Sequence, residues 1–191
     1  MRQYSALNLT PLAPGARLGP AAAPGHVTLD DPAPAVMTDL REVPAVTTTP
    51  EETMDRAHQA MIQRGVRLLF VLAPEGELAG VITASDLLGE KPMRFMQARG
   101  VSHGDVQVRD LMTPIGALDA LALQEVAQMR VGHIVATLKA LRRQHVLVAE
   151  ESGRRVRGLF SASQIARQLG VELQTFEVAQ TFAEIEAALV R

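Results

Sequence analysis

Gly80-Val81-Ile82-Thr83-Ala84-Ser85-Asp86 holds the residues whose types and spacing point most directly to chemistry. An apolar run ends in Thr83 and a helical pattern begins at once, so free helix N–H groups should face the space beyond a sheet edge. That position favours anions. Asp86 falls in the first helical turn, where its charge suits the helix dipole. A carboxylate that only accepts hydrogen bonds, beside a hydroxyl that both donates and accepts, suits a vicinal diol. The same spacing also describes an ordinary helix cap with a dipole-stabilising Asp.

The chain writes this module twice. Arg67-Leu68-Leu69-Phe70-Val71 answers to His145-Val146-Leu147-Val148-Ala149 at an offset of 78 residues, and Gly80 to Asp86 answers to Gly158 to Gln164 at the same offset. Upstream, Val36-Met37-Thr38 is echoed by Leu111-Met112-Thr113 at an offset of 75. Duplication of a whole unit is an architectural statement. Each copy is too small to bury a large core alone. The two copies are therefore expected to pack face to face, leaving a two-fold-related cleft between them.

The elements that must position these residues follow from local pattern. Each repeat reads as strand, helix, strand, strand, helix, a mixed α/β (α+β) unit. In the first, a short strand near Ala45 to Thr47 precedes Thr49-Pro50-Glu51-Glu52, which reads as a capping box with proline at the first helical position. Met54, Ala57, Met61 and Ile62 give the helical stripe and Gly65 the stop. Leu68 to Leu72 is a continuous apolar run, as in a strand buried on both faces. Ala73 to Gly76 turns the chain into a return strand over Leu78 to Ile82, and a helix starts near Ala84.

The second repeat has an opening strand at Leu118 to Leu123 and a helix carrying Val131, Ile134, Val135, Leu138 and Leu141. Its hairpin spans Val146 to Ala149 and Arg155 to Phe160, and its last helix Ser163 to Leu169. The expected division is an irregular arm over 1–33, a first repeat over 34–95, a linker over 96–107, a second repeat over 108–170 and a helical extension over 171–191. The arm holds five of the eleven prolines, which prevents regular pairing, and its first thirty or so residues are expected to be open to proteolysis. Thr181 should cap a terminal helix with Phe182, Ile185 and Leu189 on its apolar side. That helix reads either as a cover for the second repeat or as an oligomer contact.

Composition removes several function classes. Of 191 residues, 47% are hydrophobic and 21% charged, as in folded globular proteins. A net charge of −2 and only 3% aromatics argue against a nucleic-acid binder. The absence of cysteine excludes disulfides, thiolate metal sites and a Cys nucleophile, and fits a cytoplasmic protein. No apolar run has the length of a membrane span. The five histidines show no ligand spacing, so no metal is expected. No phosphate loop, dinucleotide fingerprint or nucleophile elbow is present, so an enzyme is not expected. Lys139, Arg142, Arg143, Arg154, Arg155 and Arg157 cluster in the second half, either to meet phosphates at a cleft or as a solvated surface.

With these features in order, the chain resembles the tandem CBS (cystathionine β-synthase) domain pair over roughly residues 34–170. The Met-Thr openings, the capped helix ending Gly65-Val66-Arg67, the hairpin and Gly80-x-x-Thr83-x-x-Asp86 carry the resemblance. It implies two clefts for adenosine-type ligands such as AMP, ADP, ATP or S-adenosylmethionine, with no cofactor required, in a homodimer that regulates another protein. By that resemblance Thr83 and Asp86 would hold a ribose, while Val46, Leu68 and Ile82 would wall the base, though each also fits a plain core role. The second cleft, with His145, Ser161 and Gln164, departs from the pattern. Gln164 stands where an Asp is expected, and losing the charge forfeits about 1 kcal/mol. The rival expectation is a structural or interaction module that has lost its ligand.

Overall fold

The computed structural model describes residues 27–171 and 178–189. Most of the arm expected to be open to proteolysis lies outside those residues. Its last part is irregular yet tied down. Asp31 closes a turn by accepting from the Thr28 backbone N–H at 2.7 Å, and a 3-10 turn over Ala33–Val36 follows. The Ala33 N–H donates to the Met129 carbonyl, and the Val131 and Gly132 N–H groups donate to Asp31 and Leu29. The segment before the first repeat is thus fastened to the second.

The elements follow in chain order: β1 (Thr38–Asp39), β2 (Thr47–Thr48), α1 (Met54–Arg64), β3 (Leu68–Leu72), β4 (Leu78–Thr83), α2 (Ala84–Leu88) and α3 (Lys91–Arg99). After them come α4 (Val108–Leu111), β5 (Thr113–Pro114), β6 (Ala120–Ala122), α5 (Leu123–Val126), α6 (Val131–Leu141), β7 (His145–Glu150), β8 (Arg155–Ser161), α7 (Ala162–Gln168) and α8 (Val178–Leu189). Two four-stranded sheets result, ordered β2-β3-β4-β5 and β1-β8-β7-β6. The Met-Thr openings have changed places. β1, ahead of the first repeat, pairs antiparallel with β8 of the second, and β5, ahead of the second, pairs antiparallel with β4 of the first.

The continuous apolar runs are explained by burial on two sides. Along β3, alternate residues point to opposite faces. Leu69 and Val71 pack under α1 and α2 in the first core, whereas Leu68 and Phe70 face the other sheet with Val81, Leu147 and Leu159. β7 repeats the arrangement, with Val146 and Val148 in the second core and Leu147 at the inter-sheet contact. Face-to-face packing of the repeats follows. Each such side chain moved from water contributes about 1.5–3 kcal/mol.

Two helix starts differ from the sequence expectation. The first helix is capped by Thr53, whose hydroxyl accepts from the Arg56 N–H at 3.3 Å, and not by Thr49. A start at Pro50 would need the Pro50 and Glu52 carbonyls inside the helix. The Arg109 and Val108 N–H groups already donate to them, at 2.9 and 2.8 Å. Tertiary pairing therefore overrides a good local cap. At the C-terminal end, Thr181 is wholly buried inside α8 instead of capping it. Phe182 and Ile185 are buried in the second core, so this helix covers the second repeat. Leu141, expected in the apolar stripe of α6, is 44% exposed at that helix's end.

Candidate functional site

A cavity of about 960 Å³ opens where the two repeats meet. Its apolar wall is built by the first repeat. Met61 and Ile62 come from the last turns of α1, and the left-handed Gly65 cap (φ 64°) returns the chain into Val66, Arg67 and Leu68. The connection from β1 to β2, residues 40–46, contributes to the lining and adds Val43 and Val46. The polar edge is built by the second repeat: His145 at the start of β7, Ser161 at the end of β8, and Ser163, Gln164 and Arg167 on α7.

This placement regroups the residues singled out in the sequence. Val46 and Leu68, expected beside Thr83 and Asp86, share the cavity with His145, Ser161 and Gln164. Thr83 and Asp86 do not line it, and Ile82 is wholly buried in the first core. The cause is face-to-face packing, which sets the wall of one repeat against the helix start of the other. Sequence reasoning did not single out Thr38, His58, Ser163 or Arg167. For Arg167, three positions after Gln164 on the same helix face, the spacing was a usable signal. The Met-Thr echo pointed to Thr38 as a repeat feature without showing that it faces a cleft.

The two Thr/Ser-x-x-Asp/Gln elements differ in what already occupies them. Thr83 and Asp86 form a closed capping box. The Thr83 N–H and hydroxyl donate to Asp86 Oδ2 at 2.9 and 2.7 Å, and the Asp86 N–H donates to Thr83 Oγ1 at 3.3 Å. Lys91 Nζ donates to Asp86 Oδ1 at 2.9 Å and also to the Leu111 carbonyl. In the second element Ser161 makes no cap. Its hydroxyl lies 3.1 Å from that of Ser163, and Gln164 Oε1 accepts from the Thr38 hydroxyl at 3.0 Å.

Charge in the cavity is uneven. His145 is held down to a pKa of about 4, chiefly by burial and further by the Arg67 guanidinium, with the Asp86 carboxylate partly opposing both. Its imidazole is therefore neutral at pH 7, and its buried Nδ1 has no hydrogen-bond partner. Arg67 is itself lowered by burial but remains a cation, as guanidinium does in proteins. Asp39, at the cavity margin, is pulled to about 2 by the Arg157 side chain and the Arg41 N–H. The Arg157–Asp39 pair, at 2.5–2.8 Å, anchors β1 to β8.

None of the six basic residues clustered in the second half lines the cavity. Arg143 and Arg155 instead pair with Asp119 and Glu150, each at 3.7 Å. Among the described residues no group of three His, Asp or Glu could hold a metal ion, and no helix is long and apolar enough to cross a membrane.

Comparison with known proteins gives a family match for part of the chain and a fold match for most of it. Residues 35–92 match the model of the CBS domain family. No curated protein matches the chain. Among solved structures it is similar to an uncharacterized conserved protein from Pyrococcus horikoshii, at 21% identity and a TM-score of 0.56, covering 78% of this chain and all of that one. It is similar to CBSX2 in complex with AMP, at 20% identity and TM-score 0.50, covering 72% and 94%. A CBS-domain containing protein from Agrobacterium tumefaciens matches at 18% identity and TM-score 0.52, covering 68% and 88%. At these identities the likeness establishes the fold.

Proposed function

We propose that this protein, with a CBS domain as its first repeat and the CBS-pair fold as a whole, is a regulatory sensor that binds an adenosine-type ligand between its repeats. The observation that carries the reading is the inter-repeat cavity, with an apolar wall on one side and hydroxyl, amide and guanidinium groups on the other. Val46 and Leu68 offer the base an apolar surface. Ser161 and Gln164 offer a ribose diol donors and acceptors. Arg67 and Arg167 supply charge for phosphate. CBSX2, a structural neighbour, was solved with AMP, which supports AMP, ADP, ATP or S-adenosylmethionine as the class to test.

A ligand held by groups from both repeats would favour one arrangement of the pair over others, and so shift a population that a partner protein reads. The partner in this reading is another protein. We also propose a homodimer. Leu87 packs inside its own core at 6% exposure, which leaves Leu88, 63% exposed, as the apolar contact that α2 offers a second copy.

One observation favours the rival, a structural module without ligand. Gln164 is neutral, and its oxygen already accepts from Thr38. Thermal shift against the four ligands separates the two readings. A ligand at a hundred times its Kd stabilises the native state by about 2.7 kcal/mol. No shift with any of the four leaves the structural module.

A further inference from the structure

At one repeated position the two halves of the chain carry different side chains, and both line the same cavity. Arg67 stands at the entrance to β3, and His145, 78 residues later, opens β7. Arg67 is a permanent cation. His145 is a conditional one. Burial and the nearby Arg67 guanidinium keep it neutral, and its buried Nδ1 has no hydrogen-bond partner. A neutral imidazole offers one donor and one acceptor, whereas the imidazolium offers two donors and a charge.

The groups around His145 decide what changes that state. Across the hairpin it pairs with Ser161, whose hydroxyl lies 3.1 Å from that of Ser163. On α7 the Arg167 Nε donates to the Ser163 carbonyl at 3.3 Å, which brings a second guanidinium to this edge of the cavity. Asp86 of α2 opposes the effect of Arg67 on the ring, but its carboxylate is already paired with Lys91 at 2.9 Å. Asp39 of β1 is likewise paired with Arg157. His58 of α1 and the exposed Glu42 of the β1–β2 connection are the other titratable groups of the lining. A phosphate held by Arg67 and Arg167 would reverse the balance at the ring, because an anion beside an imidazole favours its charged form.

We propose that the cavity takes a phosphate-bearing ligand and that His145 gains a proton from solvent as the phosphate binds, so that the site reads nucleotide and acidity together. This deepens the sensor reading above and rests on it. Within the ligand class named there it selects AMP, ADP and ATP over S-adenosylmethionine, whose sulfonium would add positive charge beside Arg67 and Arg167. When the ligand leaves, the proton returns to solvent and the ring is neutral again.

NMR of the full chain gives the direct test, with AMP as probe and adenosine as the uncharged control. The ring signal of His145, identified by its loss in His145→Gln, should keep its neutral position from pH 7.5 to 5.5 alone and with adenosine. With saturating AMP it should titrate within that range. Calorimetry gives a second reading. Between pH 7.5 and 5.5 wild type should gain several-fold in AMP affinity over His145→Gln, the ceiling for one proton being about tenfold per pH unit. Taking the ratio of the two Kd values cancels the titration of the phosphate itself. Circular dichroism checks that the variant is folded. AMP that binds while the ring stays neutral overturns the proton uptake and leaves the cavity reading standing. A ring that titrates equally with adenosine removes the role of the phosphate, and S-adenosylmethionine binding as tightly as AMP overturns the ligand class. Binding of none of these compounds overturns this inference and the sensor reading together.

Discussion

His145 is neutral in the folded chain for reasons that give it a pH signature. Its pKa is about 4 when folded and near 6.5 when the chain is unfolded. Between those values the unfolded state binds the extra proton, so stability is full above pH 6.5 and falls as pH drops towards 4. The steepest possible loss is about 1.4 kcal/mol per pH unit. Urea midpoints measured from pH 7.5 to 4 should show this slope in wild type and a shallower one in His145→Gln. Asp39 cannot mimic the effect, because its depressed pKa of about 2 moves its own loss below the ordinary carboxylate range. Equal slopes in the two proteins would show that His145 is not held neutral by burial. Gln164 supports a second residue-level expectation. Gln164→Asp adds a charged acceptor near Arg67 and Arg167 and should tighten AMP about fivefold, the equivalent of about 1 kcal/mol, while Gln164→Ala should weaken it by about 0.5–1.5 kcal/mol. Calorimetry on both variants reads the order directly, and a Gln164→Asp that binds no tighter would place the ribose elsewhere.

At the scale of elements, two glycines decide whether the exchanged strands can sit. A Cβ on Gly158 would lie 2.5 Å from the Thr38 carbonyl oxygen and 3.2 Å from the Met37 side chain. One on Gly80 would meet the Thr113 carbonyl oxygen and come within 3.1 Å of Pro114 Cα. Both obstacles are largely backbone, so they yield little. Gly80→Ala and Gly158→Ala should each cost about 1–3 kcal/mol, seen as a lower urea midpoint with β1 or β5 losing amide protection. A neutral Gly158→Ala would show that β1 does not need this close approach. The glycines were legible as part of a repeated motif, but their reason was not. It depends on a strand from the other half of the chain, and no local pattern reports that. The same limit explains α1, where Thr49-Pro50-Glu51-Glu52 is a sound local cap displaced by backbone bonds to residues 106–109. Strands β3, β4 and β7 were readable because burial on two faces writes itself as largely uninterrupted apolar sequence, whereas β8, with Arg155 and Arg157, was readable as the return strand of the repeated hairpin.

At the scale of the molecule, duplication foretold two repeats packed face to face, and the inter-sheet core of Leu68, Phe70, Val81 and Leu147 bears this out. Which residues share a cleft was less legible. Spacing relates groups within a repeat, whereas the cavity joins Leu68 of one to Gln164 of the other. Oligomerisation is open to test by light scattering. If α2 meets a second copy through Leu88, Leu88→Glu should shift a dimeric mass towards the monomer without unfolding, because Leu88 is 63% exposed. A monomeric wild type would set the dimer aside.

The exchange of opening strands also governs how the molecule comes apart. β8 is covered on one side by a strand from the first half, and β4 by one from the second. Separating the halves would strip both sheets at once and leave unpaired N–H and C=O groups on each, the kind of edge that invites aggregation. A half-folded state is therefore poorly protected on either side. The two repeats should melt in a single cooperative step, and a disturbance in one should be felt as instability in both.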